Sequence, residues 1–130
     1  MAIKVNSTTV IDDNRILFPN NSAETNTSPT ISAGTLTLDL NTATVFAVAL
    51  NANITTLTIT NVQAAGKTSS FVLMFTADGT ARTVTWPGSF YWPGGTAPTI
   101  TSTNGKEDVF TFFTTNGGTN WQAFISGQNI

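Results

Sequence analysis

The chain has 130 residues and a formal net charge of −2, with only 9% charged side chains, no cysteine and no histidine. Those absences exclude disulfide staples, thiolate and imidazole metal sites, and Ser–His or Cys–His nucleophile pairs. The acidic balance offers no basic footprint for nucleic acid, while 40% hydrophobic residues with nine Phe and three Trp are enough for the core of one domain.

The first residues, MAIKVNSTTVIDD, lack the apolar stretch of a secretory signal, and no apolar run reaches membrane-spanning length. Neither signal-directed export nor membrane insertion is expected. Residues 1–18 scatter short apolar pieces (Ile3, Val5, Val10, Ile11) around the cluster Asp12-Asp13-Asn14-Arg15. Residues 19–29, PNNSAETNTSP, carry no large apolar side chain and read as an exposed linker. An arm held off in this way adds little to a core. Its expected role is to dock on a partner, through Ile3, Val5, Val10, Ile11 and Arg15.

From residue 30 onward the apolar pattern has period two. TLTLDL (35–40), VFAVAL (45–50), ITTLTIT (54–60), SSFVLMFT (69–76), TVTW (83–86), SFYW (89–92), TIT (99–101), VFTFFT (109–114) and NWQAFI (120–125) are short runs rich in β-branched and aromatic residues. Asp78-Gly79, Asn104-Gly105 and Asn116-Gly117 stand between runs, where positive φ is tolerated. VFTFFTTNGGTNWQAFI reads as a closing antiparallel hairpin. No helical periodicity appears. The pattern predicts an all-β domain over residues 30–130, an antiparallel β-sandwich or jelly roll.

Two of these strands are apolar on both faces. Phe71, Leu73 and Phe75 oppose Val72 and Met74, and Phe46, Val48 and Leu50 oppose Val45, Ala47 and Ala49. A sandwich covers one face of each sheet, so either these strands are central and covered within the subunit, or Val72, Met74, Val45 and Ala47 form a subunit interface. The Thr-rich, charge-poor composition favours the interface.

The chemistry-bearing residues are few. Asp78, Glu107 and Asp108 lie beside turns, where solvated carboxylates are expected, and Asp39 falls on the polar side of its strand. No pair stands at a spacing that reads as a glycosidase site. No catalytic residue, metal ligand or cofactor is assigned, and the chain reads as a non-enzyme. The remaining candidate is TVTWPGSFYWPGG (83–95), with two of the three Trp, the only Tyr, and WPG twice. In one reading, Trp caps the core at strand ends and Pro-Gly turns the chain. In the other, Tyr91 and Trp92 are exposed and stack on a glycan.

MAIKVNSTTVIDDNRILF resembles the opening of many tail-fibre and appendage proteins of tailed phages, marine and cyanobacterial ones in particular. SPTISAGTLTLDLNTATVFAVALNANITTLTITN, FTADGTARTVTWPGSFYWPGGTAPTIT and DVFTFFTTNGGTNWQAFISGQ are similar to a module that recurs in phage structural proteins. The resemblance spans nearly the whole chain. It implies a virion structural protein made in the host cytoplasm, a homotrimer joined to other tail or capsid proteins, with a role in host attachment and nothing enzymatic. Such fibres usually carry long shafts, whereas only residues 19–29 separate arm from module here. That departure points to a compact part: a short tail fibre or appendage, or a capsid decoration protein. A receptor- or glycan-binding module is the further alternative.

Overall fold

The computed structural model describes residues 24–130 in full and the backbone of two short strands before them, β1 (Ile3–Val5) and β2 (Thr8–Ile11). Those two strands pair antiparallel, with Val5 beside Thr8. The remaining strands are β3 (Asn26–Thr27), β4 (Thr35–Asp39), β5 (Val45–Leu50), β6 (Thr56–Thr60), β7 (Ser69–Ala77), β8 (Phe90–Tyr91), β9 (Glu107–Thr114) and β10 (Trp121–Gly127).

They form two layers. The larger is a six-stranded sheet in the order β3-β5-β7-β9-β10-β8, and the smaller pairs β4 with β6. The all-β expectation holds, and the two-layer arrangement is compatible with a sandwich. The antiparallel expectation does not hold throughout. β3 and β5, β5 and β7, β4 and β6, and β8 and β10 all pair parallel. From β3 to β7 each strand crosses to the opposite layer, so neighbours within a layer are one turn of a flattened coil apart. That is not the Greek-key path of a jelly roll.

The corners show why the chain crosses instead of turning back. After β4, the Asp39 carbonyl accepts from the amides of Thr42 and Ala43, and the Asp39 carboxylate accepts from the Asn41 amide. Asn61, at φ 57°, ends β6, and its side-chain amide donates to the same carboxylate. Both exits from the small layer are tied to one residue. The end of the coil is antiparallel: β7 pairs with β9, and β9 with β10, as the hairpin reading required.

The core lies between the layers. Leu36, Leu38 and Leu57 face Phe46, Val48, Leu50, Phe71, Leu73 and Phe75, all buried. Two strands span about 10 Å across a sheet that is more than twice as wide. The small layer therefore cannot cover β9 and β10, and residues 83–95 do so in its place. Trp86 lies 5.3 Å from Phe110, Trp92 5.7 Å from Phe112, and Phe90 4.8 Å from Phe112 between ring centroids.

Three further expectations about local structure need correction. TVTW is not a strand: only Val84 bridges, beside Ile54. TIT at 99–101 forms no ladder, because the Thr101 amide is taken by Asp108. The linker reading of residues 19–29 fails at its end, since Asn26 and Thr27 pair with Val45 and Phe46 inside the large sheet.

Candidate interaction surface

Alternation along β5, β7, β9 and β10 sends one set of side chains into the core and the other onto the outer face of the six-stranded sheet. Register then aligns the outward set in rows. Val45, Val72, Thr111 and Phe124 form one row. Ala47, Met74 and Val109 form the next, closed by Gly127, against which Ile130 packs. A third row runs Ser70, Phe113, Gln122, Tyr91.

The four residues expected at an interface, Val45, Ala47, Val72 and Met74, are thus brought together as a half-buried aliphatic patch. The only charged side chain on this face of β9 is Glu107, at its first residue, with the Thr76 hydroxyl 3.4 Å from its carboxylate. Sequence reasoning missed Phe113 and Phe124. They are 37% and 44% exposed, with their rings nearly parallel at 6.1 Å. The signal was present: once Phe110 and Phe112 point inward, Phe113 must point outward.

The WPG segment resolves in favour of the core. Trp92, expected to accompany Tyr91 as a stacking surface, is 8% exposed and packs on Phe110. That expectation is corrected, because Trp92 shares its side of the chain with buried Phe90. Tyr91 points the other way, is 52% exposed, and its hydroxyl donates to the Asn120 side chain at 3.2 Å. Each WPG makes a turn, through Phe90 N–H to Pro87 and Gly95 N–H to Trp92. Neither turn joins paired strands, since β8 pairs with β10 instead.

The carboxylates are separately engaged. Asn61 and the Asn41 amide hold the Asp39 carboxyl below its usual range. Arg82, in a 2.6 Å ion pair, and the Thr80 amide do the same for Asp78, and Asp78 in turn raises Arg82. Glu24 accepts from the Thr44 hydroxyl. Asp108 departs from the solvated-turn expectation: it is buried, and its two oxygens accept from the amides of Thr101 and Asn129. Its carboxylate ties a loop and the C-terminal residues to β9. A cleft of about 210 Å³ is lined by Thr44, Asn61, Gln63 and Ser70, with no acid. A second of about 100 Å³ has Glu24 as the one acid among its described lining residues. Neither presents two carboxyls to a common point.

Of the expected anchoring residues, Ile3, Val5, Val10 and Ile11 fall in β1 and β2, and Arg15 lies outside the described residues. No family model, curated protein or solved structure matches the chain.

Proposed function

We propose that this protein is a non-enzymatic structural subunit of a bacteriophage particle: a short tail fibre or appendage module that assembles as a homotrimer and is anchored by its N-terminal arm. The observation that carries the reading is the aliphatic patch of Val45, Ala47, Val72 and Met74, displayed without charge on the outside of the large sheet. A monomer gains nothing from two-faced apolar strands. Copies packed on this face would bury them, and these half-buried side chains would gain part of the roughly 1.5–3 kcal/mol that full burial of an exposed Val or Met contributes. The resemblance of the arm and the module to phage structural proteins supplies the setting.

Quantitative mass spectrometry of purified particles tests this. The expected copy number is a small multiple of three per tail. A count near a simple fraction of the major capsid protein would make the chain a decoration protein, and absence from the particle would end the structural reading. Removal of residues 1–18 is expected to abolish incorporation; normal incorporation would refute the anchoring role of the arm.

A further inference from the structure

The β8–β10 end of the outer face differs in chemistry from the aliphatic β5–β7 end. Here aromatic rings alternate with amides and hydroxyls. Gln122 stands directly between Tyr91 on β8 and Phe113 on β9. Asn120 fixes the Tyr91 hydroxyl. Phe124 holds its ring within 11° of parallel to Phe113, and beside it Thr111 and Ser126 share a hydroxyl–hydroxyl bond of 2.7 Å.

We propose that this strip binds an extended, neutral polysaccharide. Two strand spacings put Tyr91 and Phe113 about 10 Å apart, about the advance of two sugar rings in an extended β-1,4-linked chain. The apolar C–H face of a pyranose stacks on an aromatic ring, whose π face is electron-rich. Sugar hydroxyls at the rim of the stack need donors and acceptors, and the Gln122 amide supplies both midway between the rings. Because Asn120 holds the Tyr91 ring in place, less side-chain freedom is lost on binding.

The charge of the ligand follows from the same residues. No side chain of β8 or β10 is charged, and Glu107, at the start of β9, is in a different cross-strand row from Phe113. A uronic-acid or sulfated chain would give up hydration at the strip with no cationic side chain on β8, β9 or β10 to meet it. A neutral glycan matches the site.

The test uses the recombinant full-length chain, titrated by NMR with cellohexaose, chitohexaose and maltohexaose, and with hexagalacturonate as the charged comparison. Saturable binding of at least one neutral hexasaccharide is expected, with a Kd on the order of 1 mM. Tyr91→Ala and Phe113→Ser should each weaken it at least about fivefold. Both side chains are exposed, so circular dichroism and the melting temperature should stay close to the parent. Gln122→Leu separates sugar from protein as the occupant: it keeps the surface apolar and removes the amide, so it should weaken sugar binding while leaving self-association intact. The proposal is overturned if no neutral hexasaccharide binds up to about 10 mM, if only hexagalacturonate binds, or if binding is indifferent to these substitutions. Dissociation of the oligomer by Tyr91→Ala would overturn it too, by making the strip a contact between copies. Sedimentation run on the same samples reads the oligomer independently, so failure here is distinct from failure of the trimeric reading.

Discussion

Asp108 shows how one residue can be misread from its neighbours and then explained by its contacts. A carboxylate next to Glu107 and a turn looks solvated, yet it is 1% exposed and satisfies two backbone amides from different segments. Asp108→Ala strands both N–H groups, each costing about 1–3 kcal/mol if water does not reach it. A loss of about 2–4 kcal/mol in urea unfolding is expected; a loss under about 0.5 kcal/mol would show that the loop closes without it. Asp39 and Asp78 set a pH dependence instead. Both carboxyls are held below their ordinary value of 3.8 in the folded chain. The unfolded state therefore takes up protons first as pH falls. Their contribution is complete above about pH 5 and fades as pH drops through the folded values. Because both groups are solvent-exposed the effect is modest. Unfolding midpoints measured from pH 7 to 2 should be flat and then decline, with a shallower decline in the Asp39→Asn, Asp78→Asn double variant. An unchanged acid limb in that variant would remove these two groups from the account.

At the scale of elements, the segment 83–95 replaces a missing strand by packing rings where a ladder would otherwise lie. Its Trp92 makes a core contact that carries one cost, an indole N–H that is buried with no hydrogen-bond partner among the described residues. Trp92→Ala should cost about 3–5 kcal/mol, as for other large core aromatics. Trp92→Phe gives up volume but also removes the unpaired donor, so a net loss within about 1 kcal/mol is expected from thermal unfolding. If Phe costs as much as Ala, the donor is paired in solution. The same segment marks the limit of what the sequence could disclose. Strong alternation made β4, β5, β7, β9 and β10 legible as strands and divided β5 and β7 into two faces, because period two reports directly on which side chains share a face. Pairing direction was legible only for β9 and β10, through the Asn116-Gly117 turn. Asp39 reads from sequence as a polar-side strand residue, and only the hydrogen bond it accepts from Asn61 marks the two exits from the small layer as one corner. Of the interaction surface, the aliphatic half was visible in VFAVAL and FVLMF. The aromatic half was hidden, since Tyr91, Phe113, Gln122 and Phe124 are scattered in sequence and meet only through the β8–β10 and β9–β10 registers.

For the whole molecule, the question is what the outer face of the large sheet is for. The inner face is covered by the small layer and residues 83–95, and among the described residues the outer face carries the half-buried aliphatic patch as the surface left to associate. Met74 is its central aliphatic side chain, between Ala47 and Val109 in register. Met74→Asp would bury a carboxylate against apolar neighbours in any assembly that uses this face. It would leave the subunit core intact, because Leu73 and Phe75 face the other way. Sedimentation equilibrium should therefore find a trimer for the parent chain and a folded monomer for Met74→Asp, a shift of at least about tenfold in association constant per contact. Met74→Leu, similar in volume and apolar, should remain trimeric. A trimer that tolerates the aspartate would place the contact elsewhere on the molecule. A parent chain that is itself monomeric at high concentration would remove self-association through this face and point to a different protein as what covers the aliphatic patch.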